Sequence, residues 1–164
     1  MCYTQRNDSE DRSRLLIATR IVAIIAFFTC FACPTWGAED VVGSVKTAQG
    51  GAVIRRGTNS IPASAGMHIL ANDILQTPAD GRLGVILQDG TGIGLGPNTE
   101  LKIDSFIFEP AAGKLGLVLR LARGVMAYFS GKIAQLAPGS VTVETPVAVI
   151  GLRGTHMAVS IEGT

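Results

Sequence analysis

Residues Gly81 to Leu101 read G-R-L-G-V-I-L-Q-D-G-T-G-I-G-L-G-P-N-T-E-L, and the fold class is decided here. Leu83, Val85 and Leu87 alternate with smaller or polar residues, and so do Thr91, Ile93 and Leu95. That period of two belongs to half-buried strands and not to a helix. Asp89-Gly90 separates the two runs, and such a pair predicts a hairpin with a type I′ turn, in which both central residues take positive φ. Leu101 and Ile103 start a third alternating run after Pro97-Asn98.

The same grammar extends through the rest of the body. Leu115, Leu117, Leu119 and Leu121 share one face of K-L-G-L-V-L-R-L, Val125, Ala127 and Phe129 share one face of G-V-M-A-Y-F, and Val141 and Val143 follow in S-V-T-V-E-T. Breaks at Gly50-Gly51, Arg56-Gly57, Asp80-Gly81, Ala112-Gly113 and Pro138-Gly139 keep the strands short. Nothing reads as a long helix. The expected fold is all-β, a single domain of short antiparallel strands and hairpins arranged as a sandwich or β-roll.

The first 38 residues have a different character. Arg6, Arg12, Arg14 and Arg20 precede the apolar run Ile21 to Ala32, and the small-residue neighbourhood P-T-W-G-A-E-D follows it. Twelve apolar residues fit the core of a signal peptide better than a spanning helix, which needs about 20. Residues 1–38 are therefore expected to be a signal peptide, cut after Gly37, or an N-terminal membrane anchor helix, with 39–164 as the exported domain. Cys33 after Ala32 also permits a lipoprotein reading. Cys2, Cys30 and Cys33 all lie in this segment, so no disulfide framework is expected in the body.

Charge excludes some partners. The N-terminal segment takes four of the 14 basic and three of the 13 acidic residues, which leaves ten of each and a formally neutral body. No nucleic-acid surface is expected from that balance.

Gly90 to Gly96 is spaced G-x-G-x-G-x-G and runs into Pro97, which is not the helix-opening dinucleotide fingerprint; its glycines leave one strand face without side chains, open to a packing element or a partner. Asp73, Asp89, Asp104 and Glu144 stand at turns or strand ends with no sign of convergence, so they do not make a glycosidase pair. Asp73 and Asp89 read instead as turn-closing carboxylates. His68 and His156, the two histidines, lack any short metal-ligand spacing. Ser130 and Ser140 lack a nucleophile elbow. Phe106, Phe108, Tyr128 and Phe129 read as core or edge-closing aromatics rather than a sugar-stacking platform. No cofactor, metal or enzymatic activity is expected.

G-M-H-I-L-A-N-D-I-L-Q-T (Gly66 to Thr77), Gly81 to Leu101, R-G-V-M-A-Y-F (Arg123 to Phe129) and V-E-T-P-V-A-V-I-G-L-R-G-T-H-M-A-V (Val143 to Val159), in this order and spacing, resemble the FecR domain. The family pattern falls on Gly66, Asp73, Thr77, Asp89, Gly90, Gly124, Pro146, Arg153, Gly154 and Thr155, and the resemblance implies that these are structural. It further implies an all-β, non-catalytic domain of the periplasm or cell surface of a Gram-negative bacterium, acting as a binding or structural module toward an envelope protein or glycan. The alternative is a sensor component of envelope, iron-uptake type, sigma-factor signalling. The 20 residues before the apolar run are too few for the cytoplasmic regulatory domain of the transmembrane members, so a stand-alone exported form is expected.

The closing stretch Val147 to Val159 is expected to be one strand with a bulge or bend at Gly151 and Gly154. Arg153 is expected to act as a clamp that reaches turn carbonyls or a carboxylate such as Asp73 or Asp89, and His156 to point away from the core row. Arg153 and His156 are the candidate partner contacts.

Overall fold

The computed structural model describes residues 40–154 and 156–161. The expected signal or anchor segment, the three cysteines and Thr155 lie outside the described residues. No helix among the described residues is long and apolar enough to cross a membrane.

Among the described residues twelve strands form one curled sheet: β1 Val41–Gln49, β2 Val53–Arg56, β3 Asn59–Pro62, β4 His68–Leu70, β5 Ile74–Gln76, β6 Arg82–Leu87, β7 Gly92–Leu95, β8 Glu100–Glu109, β9 Lys114–Phe129, β10 Val141–Glu144, β11 Val149–Leu152 and β12 His156–Ile161. A short helix, α1 Lys132–Leu136, follows β9 and buries Ile133 and Ala134. The fold is all-β, as expected, and takes the form of a roll because β9 belongs to both of its halves.

The 16 residues of β9 divide between two sets of partners. Its first part pairs with β8, and with β10 on the other side, in a half-sheet ordered β3-β2-β5-β8-β9-β10-β11. Its last part pairs with β7 and β12, in a half-sheet ordered β4-β1-β6-β7-β9-β12. These are called half-sheets I and II. The β9–β10 pairing is parallel and is the exception in an antiparallel pattern. The connection that makes it possible runs through α1, as a parallel neighbour requires a crossover.

One buried cluster joins the two inner faces. Leu83, Val85, Leu87, Ile93 and Leu95 supply it from half-sheet II, and Leu101, Ile103, Leu117, Leu119, Leu121, Val141 and Val143 from half-sheet I. Burying each of these side chains contributes about 1.5–3 kcal/mol. Phe106 and Phe108 pack against the edge of the cluster.

Along β9 the buried face changes parity. Leu117, Leu119 and Leu121 are buried at odd positions, whereas Met126 and Tyr128 are buried at even ones. The expected grouping of Val125, Ala127 and Phe129 does lie on one face, but that face is the outer one, and Phe129 is 49% exposed instead of filling the core. The cause is a bulge. Against β8, Leu101 faces Leu121 while Glu100 faces Arg123, so Ala122 is unmatched, and Gly124 then takes φ 92. One extra residue swaps the faces of every residue after it.

The bulge is packed from inside the fold. A Cβ on Gly124 would run into the Thr99 Cα and Oγ1 and the Asn98 carbonyl oxygen. Thr99 Oγ1 accepts the Val125 N–H at 2.9 Å and lies 2.9 Å from the Gly96 carbonyl. Thr77 Oγ1 accepts the Thr99 N–H at 3.0 Å and donates to the same Gly96 carbonyl at 2.6 Å.

Gly124→Ala combines a positive φ with a backbone collision and is expected to cost about 2–4 kcal/mol in urea unfolding. Gly116→Ala, on the same strand with nothing near its missing Cβ, is expected to stay within about 0.5 kcal/mol of wild type. Equal effects of the two would show that the joint is not where the strand is held.

Candidate functional site

The carboxylates of the family pattern are consumed inside the fold. Asp73 is buried; its Oδ2 accepts the Leu70 N–H at 2.8 Å, and Arg56 clasps it in a forked pair, Nε to Oδ1 at 3.0 Å and Nη2 to Oδ2 at 2.9 Å. Arg56 Nη2 also donates to the His68 carbonyl at 3.1 Å, so one guanidinium ties β2 to the β4–β5 corner. Sequence reasoning missed Arg56. No local pattern marks it, because its partner lies 17 residues away.

Asp89 closes the β6–β7 hairpin and starts α1. Its Oδ1 accepts the Thr91 N–H at 3.0 Å; its Oδ2 accepts the Thr91 hydroxyl at 2.7 Å and the Ile133 N–H at 3.2 Å; its carbonyl accepts the Lys132 N–H at 2.9 Å. The expected type I′ turn is not formed. Only Gly90 has positive φ, at 85, and the bonds from Gly90 N to Leu87 O and Leu87 N to Thr91 O define a three-residue loop with a glycine bulge. The reason is the side chain. An Asp89 turned inward to serve two backbone amides outcompetes the mirror-image turn.

Tyr128 lies beside this node. Its buried hydroxyl has no partner at hydrogen-bonding geometry, and burial pushes its pKa up, with the Asp89 charge adding to the effect while Thr91 and Gly131 oppose it.

The other pattern residues sit at chain reversals. Gly66 takes φ 87 and donates its N–H to the Val45 carbonyl at 2.9 Å. Pro146 is exposed in the β10–β11 turn, closed by the Thr145 N–H to the Ala148 carbonyl at 2.8 Å. The closing stretch is two strands and not one. β11 pairs with β10 in half-sheet I, and β12 with β9 in half-sheet II, so Arg153 and Gly154, at φ 63, form the step between halves. Gly151 is a regular ladder residue facing Thr142, not a bulge. Arg153 is exposed, and the two carboxylates expected to receive it are engaged by Arg56 and by the Thr91–α1 node. Neither carboxylate is paired with Arg153 among the described residues.

Asp104 and Glu144 do come together, contrary to expectation, but on a cation. Arg120 Nη2 reaches Asp104 at 3.4 Å and Glu144 at 2.9 Å. The Lys102 hydrogen bond, joined by the charges of Lys102 and Arg120, holds Asp104 below the usual carboxylate range against its partial burial. A glycosidase acid needs the opposite shift. With Arg123–Glu100 and Gln76–Glu100, these groups make an ionic ladder over the outer face of half-sheet I.

Half-sheet II carries a different outer face. One row crosses all six strands in register: His68 on β4, Ser44 on β1, Ile86 on β6, Gly92 on β7, Phe129 on β9 and His156 on β12. The two histidines therefore end the row at opposite edges. The His156 and Phe129 rings are in tilted contact, with centroids 5.0 Å apart and an interplanar angle of 60°. The next row holds Gly84, Gly94, Ala127 and Ala158. Ile86 is 38%, Val125 41% and Phe129 49% exposed. Between Ile86, Lys46 and Phe129, the glycines Gly84, Gly92 and Gly94 floor a depression of about 220 Å³. The outer residues of these strands include Lys46 and Arg82 and no carboxylate. Exposed Ile86 and Phe129 beside a bare floor, with Val125 exposed on the same face, give the composition of an interface centre.

The family model described as FecR protein matches residues 73–164, more than half of the chain, and the chain belongs to the FecR family. No curated protein and no solved structure matches it.

Arg56→Ala strands a buried carboxylate and is expected to lower stability by about 1–3 kcal/mol, the cation being partly solvated; Arg153→Ala is expected to stay within about 0.5 kcal/mol. Thermal unfolding of both checks the assignment. Tyr128→Phe removes an unpartnered hydroxyl and is expected to be neutral or stabilising at pH 7. Because the folded-state pKa is raised, the tyrosine contribution is intact below about pH 10, where the unfolded chain begins to ionise, and is lost as pH rises beyond it. Unfolding at pH 10–11.5 should therefore destabilise wild type more than Tyr128→Phe.

Proposed function

We propose that this FecR-family chain is a non-catalytic binding module, exported to the periplasm or cell surface, that engages an envelope partner through the outer face of half-sheet II. The observation that carries the reading is the contrast between the two outer faces. Half-sheet I carries a ladder of paired charges, with Ile107 and Val149 exposed on β8 and β11, while half-sheet II exposes Ile86 and Phe129 beside a glycine floor, with Val125 on the same face. Exposed apolar surface of this kind is costly in water and is what a partner removes.

Family membership favours a second reading, in which the same module is the extracytoplasmic sensor of an envelope sigma-factor pathway. The two readings use the same surface and differ in what the partner does next. An enzymatic role is not supported by the carboxylates, since Asp73, Asp89, Asp104 and Glu144 are each held by donors within the fold.

A photo-crosslinking residue at Ala127 or Ala158, on the outer face of half-sheet II, is expected to trap a discrete envelope protein in cells. The same residue at Lys102 or Thr142, on half-sheet I, is expected not to. Adducts independent of the face carrying the probe would overturn the proposal. A change in a sigma-factor reporter on deleting the chain would select the sensor reading.

A further inference from the structure

The charge on the outer face of half-sheet II is one-sided. Lys46 lines the depression beside Ile86 and Phe129, and Arg82 lies two residues along β6 from Gly84 on the same face. The acidic residues of the described chain are elsewhere: Asp73 and Asp89 are buried, Glu100, Asp104 and Glu144 lie in the ladder of half-sheet I, Glu109 pairs with Lys114, and Asp40 and Asp80 precede β1 and β6. Among the described residues Lys46 and Arg82 thus have no carboxylate partner on their own face, whereas Lys102, Lys114, Arg120 and Arg123 each have one.

We infer that the occupant of this surface is an acidic segment of a partner protein, with one apolar side chain seated on the Gly84–Gly92–Gly94 floor and carboxylates reaching Lys46 and Arg82. The inference rests on half-sheet II being the binding surface and adds the chemistry of what binds. The size of the depression decides between a side chain and a small ligand. About 220 Å³ is below the roughly 300–1,000 Å³ of small-molecule sites, and it suits a single anchoring side chain of the kind that dominates protein interfaces. The walls fit that anchor, since Ile86 and Phe129 offer it aliphatic and aromatic contact. The flanking cations supply orientation and encounter rate.

The floor also provides a blocking variant. A Cβ on Gly94 would meet only the Ala127 Cβ, at 3.8 Å, so a side chain can start from this position at ordinary contact distance, and Gly94→Val is the variant that fills the depression. Gly84 offers no such change, because its Cβ would strike Thr47 Oγ1 at 2.6 Å.

The test is an NMR titration of the protein with three short peptides, Asp-Asp-Leu-Asp-Asp, Lys-Lys-Leu-Lys-Lys and Asp-Asp-Ala-Asp-Asp, each capped at both ends. The leucine-centred acidic peptide is expected to shift the amides of Gly92, Gly94 and Phe129, and to bind about tenfold tighter than the basic one. It should weaken about tenfold in Lys46→Glu/Arg82→Glu and lose its shifts in Gly94→Val, with the fold of both variants verified by the unchanged spectrum of half-sheet I. Loss of affinity in the alanine-centred peptide is expected from the missing anchor. Absence of binding at millimolar peptide, equal binding of acidic and basic peptides, or shifts confined to half-sheet I would overturn the proposal. So would preferential capture by phosphatidylglycerol vesicles, which would make the face a lipid surface. If the acidic peptide fails while face-specific crosslinks at Ala127 persist, the partner chemistry is wrong and the surface stands; if both fail, the surface reading falls with it.

Discussion

The roll depends on a single steric constraint, the approach of Gly124 to Thr99. A strand that serves two half-sheets must present its apolar side chains to one core from both, and a straight β9 cannot do so once it turns from β8 to β7. The unmatched Ala122 and the positive φ of Gly124 supply the missing half-period. Thr99 fills the space a side chain on residue 124 would occupy, and its hydroxyl takes the Val125 N–H at 2.9 Å, leaving no orphan donor at the bulge. Thr77 holds Thr99 from behind. The rest of the core is then ordinary alternation on either side of this joint.

That arrangement explains why so many polar pattern residues are buried. Asp73, Thr77, Asp89 and Thr99 each satisfy backbone amides where the chain leaves one ladder for another. A buried amide without a partner costs about 1–3 kcal/mol, so short side-chain acceptors at the corners do work that a continuous ladder does elsewhere. Chemistry at these carboxylates would require freeing lone pairs that the fold already uses.

The strands were legible in the sequence because alternation is local. Leu83, Val85, Leu87, Ile93 and Leu95 occupy the inner face that their spacing assigns. The face on which Phe129 falls was not legible, since the parity change depends on how β9 meets β8, and Glu100 and Arg123 are 23 residues apart. The Asp89 turn went the same way. Asp-Gly alone favours a mirror-image hairpin, and only the arrival of α1, 44 residues later, explains an inward carboxylate. The Val147 to Val159 stretch reads as one strand because Arg153 and Gly154 carry no break stronger than a glycine. The bare glycine face of β7 was visible from spacing, but the walls that make it a depression, Lys46, Ile86 and Phe129, come from three other strands that only the topology brings together.

Exposure alone would favour another surface, since Val147 is 87% and Val149 71% exposed. Val147 lies in the exposed β10–β11 turn and Val149 begins a four-residue edge strand. Phe129 is held differently. Tyr128, its neighbour, is buried on the opposite face, and three residues on, the Lys132 and Ile133 amides are bonded to Asp89. Gly131 between them has no space for a side chain, its Cβ position being occupied by the Thr91 amide and Asp89 Oδ2. The exposed ring is therefore mounted beside a corner that backbone hydrogen bonds and a close glycine contact hold in place. A surface fixed before its partner arrives loses less conformational entropy on binding, and that rigidity, more than the apolar area, is what distinguishes the Ile86–Phe129 depression from the β11 edge.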